Sequence, residues 1–248
     1  MDVSLVVLLA AGTMVAAFLY ASVGHGGASA YIAAMAIVGV APAEMRTVAL
    51  QLNVLVSAIA TYKFWRAGHF GWPLFWPFAI VSIPAAYIGG AITLPGTAYK
   101  ILVGLVLLYA GWQLWWSARL GEELRPSRPL RIPLAILIGG LLGVLSGLTG
   151  VGGGIFLSPL LLLLGWAGTK QTSATSAPFI LVNSIAGLAA GFVRNPVPPP
   201  DYAWWLMAAV LLGGWAGAEY GSRRFANPII RRLLAVVLAV AGGKMVLV

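Results

Sequence analysis

The sequence contains no cysteine and has few charged residues. Its 248 residues include 15 Lys and Arg and 6 Asp and Glu, so only 8% of the chain is charged. The absence of cysteine excludes disulfides, thiolate metal sites and thiol redox chemistry. A soluble domain carries roughly 25% charged residues, so this chain cannot cover its surface for contact with water. Most of that surface must therefore face membrane lipids.

Apolar residues take the place of the missing charges. They make up 60% of the chain, and the mean hydropathy is +0.95. Only helices and closed barrels satisfy their own backbone hydrogen bonds in hydrocarbon. Barrel strands alternate apolar and polar residues, whereas the apolar runs here are long and continuous. The sequence therefore predicts an all-α integral membrane protein.

About ten hydrophobic segments can be recognised, and two of them are too short to span a bilayer upright, which takes about 20 residues. The eight longer segments are Val3–Ser22, Thr47–Trp65, Trp72–Thr93, Tyr99–Trp116, Ile132–Leu148, Thr172–Val193, Tyr202–Tyr220 and Ile229–Leu247. The short segments are Ala28–Ala41 and Ile155–Ala167, and each directly follows a cluster of glycines. We expect each short segment to be a half helix or a re-entrant helix.

The two glycine clusters indicate an internal repeat. Gly24, Gly26 and Gly27 align with Gly150, Gly152 and Gly153 at a constant shift of 126 positions (24 to 150, 26 to 152, 27 to 153). The remaining segments follow in the same order, so residues 1–117 and 132–248 form two five-segment repeats, joined by a polar cytoplasmic linker, 118–131. An odd number of segments inverts the second repeat relative to the first, as in many secondary transporters.

The net charge of +9 indicates a membrane orientation and not a nucleic-acid partner, because the basic residues lie between apolar runs. If each short segment returns to the side it came from, eleven basic residues lie on one side and four on the other. The larger group is Lys63, Arg66, Arg119, Arg125, Arg128, Arg131, Lys170, Arg223, Arg224, Arg231 and Arg232; the smaller is Arg46, Lys100, Arg194 and Lys244. The positive-inside rule then predicts that both termini are extracytoplasmic.

The glycine clusters are also the best candidate for a binding site. A helix that begins inside the membrane directs free N–H groups and a partial positive charge at the break, and glycine lets an anion approach them. Glycine is equally common where membrane helices pack closely. We assign that role to Gly89-Gly90, Gly139-Gly140, Gly213-Gly214 and Gly242-Gly243. The two paired clusters differ because each precedes a short segment at a matching position.

The predicted partner is therefore a small anion, bound without a metal or cofactor, since the sequence has no metal-ligand cluster or nucleotide loop. The first repeat contributes Ser22, Gly24, His25, Gly26, Gly27 and Ser29, with Gln51 and Asn53 from the next helix. The second contributes Thr149, Gly150, Gly152, Gly153, Gly154, Thr175 and Ser176, with Asn183 as a further wall. Amides and hydroxyls in the bilayer can also simply hydrogen-bond neighbouring helices.

His25 is the one ionisable residue within a predicted break. A histidine there can hold a proton near neutral pH and couple anion movement to protons, or it can donate a neutral hydrogen bond. It can equally well cap a helix. Coupling to protons is thus one of three interpretations of this residue.

Several of these residues resemble the motifs of a known family. The pattern is Gly143, Ser146, Gly147, Gly150 and Gly152–Gly154, followed by Pro159 and Ala174-Thr175-Ser176, and Ser22–Ser29 with Asn53 is its first-half version. It resembles the sulfite exporter TauE/SafE family over nearly the whole chain. The resemblance implies a bacterial inner-membrane exporter of sulfite, thiosulfate or small organosulfur and carboxylate anions. His25 departs from it, because a plain glycine-rich run is usual there.

Two alternatives to a secondary transporter remain open from the sequence. A passive anion channel would use the same backbone N–H groups. An intramembrane serine hydrolase would pair Ser146 or Ser22 with His25, which requires hydrogen-bond contact between nucleophile and base. The substrate, the direction of transport, the coupling ion and a homo-oligomeric state are not specified by the residues.

Overall fold

The computed structural model describes residues 2–117, 128–194, 198–223 and 228–247. Within these ranges the chain forms ten helices, which confirms the predicted all-α fold. They are α1 (Val3–Ala21), α2 (Ala28–Ile37), α3 (Pro42–Arg66), α4 (Trp72–Ala91), α5 (Gly96–Ser117), α6 (Ile132–Thr149), α7 (Gly154–Leu163), α8 (Thr169–Arg194), α9 (Asp201–Arg223) and α10 (Pro228–Leu247). Of the predicted linker, 118–127 lies outside the described residues.

Five helices are long and apolar enough to cross a bilayer: α1, α3, α4, α6 and most of α8. The helices α2 and α7 have 10 residues each. Each is therefore about 15 Å long, half of the roughly 30 Å hydrocarbon core. The expected short helix of each repeat is present.

The short helices end earlier than the apolar pattern predicts. Helix α2 stops at Ile37 and α7 at Leu163, four residues before the predicted ends. Gly39 and Gly165 follow, with φ of +82° and +67°. A left-handed glycine terminates a helix, although the residues beyond it are apolar enough to continue the hydrophobic run.

The third helix begins earlier than predicted, at Pro42 instead of Thr47. Proline at a first helical position has a fixed, helix-compatible φ and no N–H to leave unpaired. Glu44 in the first turn favours the positive end of the helix dipole. A prediction based on hydrophobicity places the start of α3 too late, because Pro42 and Glu44 favour the helix start without being strongly apolar.

The packing of the helices confirms the inverted repeat. Three glycines of α9 lie against backbone carbonyls of α1 in the same order along both helices: Gly213 on Met14, Gly217 on Phe18 and Gly221 on Ser22. Helices α6 and α4 repeat this arrangement: Gly139 on Phe78, Gly143 on Ser82 and Gly147 on Ala86. The first helix of each repeat thus packs in parallel against the fourth helix of the other.

The central helices α3 and α8 are antiparallel, because Leu50 lies near Gly187 and Asn53 near Ser184. Helix α3 runs parallel to α9, with contacts at both Val56 and Lys63. Helix α8 runs parallel to α4, because Trp166 just before α8 contacts Phe78 and Gly187 lies at Gly90. Helices α1, α3 and α9 therefore point one way, and α4, α6 and α8 the other.

The start of the first described helix and the end of the last lie on the same side of this bundle. Helix α1 starts there, and α10 ends beside Gly104 near the start of α5. Two of the four basic residues on that side have a structural role. Arg46 donates to the carbonyls of Gly90 and Ile92 at the end of α4, and Lys244 donates to Ala36 and Ile37 at the end of α2. Cations stabilise helix C-termini in this way.

Candidate functional site

Each repeat has a break between its first helix and its short helix, built on left-handed glycines. In the first repeat φ is +73° at Gly24 and +97° at Gly27. In the second it is +81°, +82° and +77° at Gly150, Gly152 and Gly153. Other residues avoid this conformation because of their Cβ atom. Gly27 and Gly153 immediately precede α2 and α7, so both short helices begin at the break.

The two breaks meet at the side chain of Asn53. A Cβ atom on Gly26 would collide with Asn53 Oδ1, and one on Gly152 would lie 2.6 Å from Asn53 Nδ2. Gly26 and Gly152 are equivalent positions of the two repeats. The Asn53 amide is therefore held between them, close to the pseudo-twofold centre of the molecule.

Hydrogen bonds from Asn53 join the two breaks. Its Oδ1 accepts from the N–H of Ala28, the first residue of α2, at 3.1 Å. Its Nδ2 donates to the carbonyl of Val151 at 3.2 Å and lies 3.5 Å from Ser184 Oγ. Because Asn53 is fully buried, these bonds form away from competing solvent. The sequence predicted Asn53 as a wall of the site, and the structure puts it between the two breaks.

A second set of hydrogen bonds runs from the first break into the second repeat. His25 Nε2 lies 2.9 Å from Ser158 Oγ on α7, and Ser158 Oγ lies 2.8 Å from Ser176 Oγ on α8. All three side chains are buried. His25 and Ser176 were predicted site residues from different repeats, and Ser158 connects them.

Three predicted hydroxyls are bound to the protein near the breaks. Ser22 Oγ donates to the carbonyl of Leu19, and Ser29 Oγ donates to Tyr20 Oη at 2.9 Å. Thr149 Oγ1 donates to the carbonyl of Leu145 and accepts from the N–H of the residue after Gly150. These hydroxyls stabilise the local chain, because each already donates its proton in a hydrogen bond within the protein.

Other predicted residues have polar atoms without a partner. Thr175 Oγ1 and both amide atoms of Asn183 are buried and make no hydrogen bond within the described structure. Gln51 lies two residues from Asn53 on α3, so its side chain points to another side of that helix. Its Oε1 is also buried without a partner. Gln51 is the one predicted site residue that is half-buried; the others are buried.

The predicted pairing for a serine hydrolase is not formed. The hydroxyl on His25 Nε2 is that of Ser158. Ser146 Oγ has no hydrogen-bond partner, and Ser22 Oγ is bound to its own helix. Neither candidate nucleophile therefore has the activated arrangement that acyl transfer needs.

Sequence reasoning missed Ser158 and did not consider Ser184. Ser158 has no counterpart in the first repeat, so the 126-residue alignment gave no reason to select it. A serine in an otherwise apolar ten-residue helix was nevertheless a usable signal, since a buried hydroxyl in a membrane needs a partner. Ser184 directly follows Asn183, which was the residue predicted from this part of α8.

Comparison with known proteins agrees with the motif pattern. The family described as "Sulfite exporter TauE/SafE" matches residues 8–245. The chain belongs to this family. It is thus a multi-pass membrane transporter protein, as its helical architecture also indicates.

Relatives of the TauE/SafE chain include two over nearly its full length. "Probable membrane transporter protein y4hK" of Sinorhizobium fredii is 41% identical over 239 residues, which cover 96% of each chain. "Probable membrane transporter protein YjnA" of Bacillus subtilis is 27% identical and covers 90% of this chain and 92% of its own. No solved structure matches the chain.

Proposed function

We propose that this protein is a secondary transporter that exports a small anion, such as sulfite or an organosulfonate, and binds it where the two breaks meet. The observation that supports this most is the Asn53 amide held between Gly26 and Gly152. It brings two oppositely oriented helix starts to one buried point. Helix starts attract anions through their free N–H groups and partial positive charge.

The depth of the site also supports this function. Helices α2 and α7 approach from opposite sides, and each is about 15 Å long. Their starts therefore lie near the middle of a bilayer whose core is about 30 Å thick. Secondary transporters with inverted repeats bind their substrates at this depth, at the interface of the repeats.

The burial of the site favours a carrier over a passive channel. The glycines of both breaks and the polar residues His25, Asn53 and Asn183 are buried. A closed state of this kind requires a movement before an anion can leave on either side, as in alternating access. An open pore would instead expose the site to water along its length.

The distribution of basic residues supports an orientation with both termini extracytoplasmic. On the side opposite the termini, the described helix ends and loops carry Lys63, Arg66, Arg128, Arg131, Lys170, Arg223, Arg231 and Arg232. Arg119, Arg125 and Arg224 lie outside the described residues. On the terminal side, Arg46 and Lys244 cap helix ends. Because these two residues have a structural role, they say less about membrane orientation. Without them, the excess of basic residues on the opposite side is larger, as the positive-inside rule expects for the cytoplasmic side.

The hydrogen bond between His25 and Ser158 supports coupling to protons as part of this proposal. It connects an ionisable imidazole to a hydroxyl of the other repeat. A change in the protonation of His25 would alter a contact between two parts that must move against each other. Transport would then depend on a pH gradient.

Flux measured with purified protein in liposomes tests the function. Uptake of sulfite, thiosulfate, sulfoacetate, sulfate and acetate is compared, with and without a pH gradient and with empty liposomes as the baseline. We expect saturable flux of a sulfur oxyanion that unlabelled substrate stimulates from the opposite side. Non-saturable flux without such exchange would indicate a channel, and no flux of any of the five anions would refute the proposal.

A further inference from the structure

The second break is surrounded by polar side-chain atoms that have no hydrogen-bond partner. Ser146 and Asn183 are both 0% exposed. The Oγ of Ser146 and both the Oδ1 and Nδ2 of Asn183 make no hydrogen bond within the described structure. Buried polar groups are nearly always paired in proteins, and an unpaired one often indicates a missing water or ligand. Three such atoms on two residues therefore point to a binding position.

The first amides of α7 are also unpaired. The helix starts after Gly153, and the N–H groups of Gly154 and Ile155 make no hydrogen bond within the described residues. The N–H of Ala28, which begins α2 in the other repeat, is bound to Asn53. The next amide of α2, that of Ser29, has no acceptor within the described residues. The second break therefore differs in that both of its first helical amides are unpaired, beside the unpaired side-chain atoms of Ser146 and Asn183.

Ser146 lies directly beside the start of α7. A Cβ atom built on Gly153 would be 3.4 Å from the Cβ of Ser146 and 2.9 Å from the ring of Phe179. The Ser146 hydroxyl is one bond further from its helix and has no acceptor there. It is therefore available to a ligand held at the amides that follow Gly153.

Asn183 lies on the same side of α8 as two residues that contact this region. Phe179, one turn before it, contacts Gly153, and Gly187, one turn after it, is 3.5 Å from the Cα of Gly147. Residues four apart on a helix share a face. Asn183 therefore faces the part of α6 that carries Ser146.

We propose that, where the two breaks meet, it is the second break that contacts the anion, through the hydroxyl of Ser146, the amide of Asn183 and the N–H groups of Gly154 and Ile155. This inference rests on the proposed anion transport, and it adds Ser146 as a binding residue. Asn53 and the first break then position the site and do not bind the substrate. Each proposed donor is neutral, so the dipole of α7 supplies the attraction for negative charge.

The donors define a class of substrate. They come from three parts of the chain, α6, α8 and the start of α7, and so surround the ligand from different directions. An anion with three terminal oxygens, such as sulfite or an alkylsulfonate, can accept from all three at once. A planar carboxylate holds its lone pairs near one plane, so it meets donors from three directions with poorer geometry, which lowers its affinity.

The test compares Ser146→Ala with Ser82→Ala, in purified protein in detergent or nanodiscs. Ser82 is also 0% exposed, but its hydroxyl bonds to a carbonyl of its own helix. Binding of labelled sulfite and acetate is measured, together with melting temperature with and without sulfite. We expect Ser146→Ala to raise the Kd for sulfite about tenfold or more. Ser82→Ala should bind sulfite with the wild-type Kd.

The melting temperatures separate binding from a structural role. Because the Ser146 hydroxyl is unpaired, its removal should leave the melting temperature without sulfite unchanged or higher, and should reduce the rise that sulfite produces. Asn183→Ala is a second variant with the same expected pattern. Wild-type sulfite affinity in Ser146→Ala, or a lower melting temperature without sulfite, would overturn this inference. A wild-type protein that binds no oxyanion would overturn the transport proposal as well.

Discussion

The first short helix begins at an amide that is already bound, whereas the second begins at amides that are not. Ala28 N–H donates to Asn53 Oδ1 at 3.1 Å, while Gly154 and Ile155 have no acceptor within the described structure. The glycines that shape the two breaks are equivalent, so the difference comes from the surrounding side chains. The inverted repeat gives both breaks the same backbone geometry. Side chains that are not repeated determine whether the first amide of each short helix has a hydrogen-bond acceptor.

Further hydrogen bonds hold the first break and its short helix in place. Tyr31 Oη donates to the carbonyl of Gly26 at 2.8 Å, and Lys244 caps the far end of α2 with two bonds of 3.0 Å. At the second break Tyr99 Oη donates to the carbonyl of Thr149 at 3.1 Å, but Ser146 and Asn183 keep unpaired polar atoms. A group that lacks a partner in the protein can bind a ligand without first losing a hydrogen bond. We therefore expect the loss of hydrogen bonds that hold the first break, such as those of Asn53, to lower stability, and changes at Ser146 and Asn183 to affect transport.

The largest effect is expected at Gly152, where the two breaks touch. Gly152→Ala places a Cβ 2.6 Å from Asn53 Nδ2 and 2.7 Å from the side chain of Ile180, at a φ of +82°. Both the collision and the left-handed backbone are unfavourable, and strain of this kind typically amounts to about 1–3 kcal/mol. We expect transport in liposomes to fall to the level of empty liposomes, because the Asn53 amide is pushed out of its position.

Gly39→Ala is the matched control for this variant. Gly39 has the same φ of +82°, but a Cβ there would meet nothing within 4 Å. The backbone strain is then equal, and only the collisions with Asn53 and Ile180 are missing. Equal loss of flux in both variants would mean that general strain, and not the contact between the breaks, is responsible.

The next effect compares the two asparagines. Asn53→Ala leaves the N–H of Ala28 and the carbonyl of Val151 unpaired, which lowers the free energy of unfolding by about 1–3 kcal/mol per group. Asn183→Ala removes atoms that have no partner, so stability should stay the same while transport is impaired. Thermal unfolding and flux of both variants measure the two effects. A stability loss in Asn183→Ala as large as that in Asn53→Ala would contradict the difference between the breaks.

The sequence predicts the architecture well, because the fold depends on signals that are local or repeated. Apolar runs locate the helices, and the shift of 126 that aligns Gly26 with Gly152 identifies the two residues that enclose Asn53. Helix ends are less predictable, since Pro42 starts α3 and Gly39 follows the end of α2 for reasons of backbone geometry, independent of hydrophobicity.

The site could be predicted only in part. The glycine clusters could be found because they occur twice, but the state of each hydroxyl depends on distant neighbours. Nothing in the sequence separates Thr149, whose hydroxyl is bound within its own helix, from Ser146, whose hydroxyl is free. Ser158 likewise becomes relevant only because α7 packs beside His25.

A smaller effect is expected for the hydrogen bonds that connect the first break to α7. His25→Ala removes the partner of Ser158 Oγ but leaves Ser176 in contact with it. The loss of one hydrogen bond predicts a decrease in flux of about threefold to tenfold, with normal membrane insertion. If the proposed proton coupling is correct, the variant also loses the stimulation of flux by a pH gradient. Wild-type flux and pH response in His25→Ala would remove this residue from the mechanism.

The smallest effect is expected at the outer end of α2. Lys244→Met removes the cation that binds the carbonyls of Ala36 and Ile37 at 3.0 Å each, and methionine keeps most of the length of the side chain. A cation at a helix C-terminus contributes about 0.3–1 kcal/mol, so a small decrease in melting temperature should result. Sulfite affinity should not change, because α2 belongs to the half that positions the site. A weaker affinity for sulfite in this variant would show that the first break takes part in binding, and would place the anion between the two breaks.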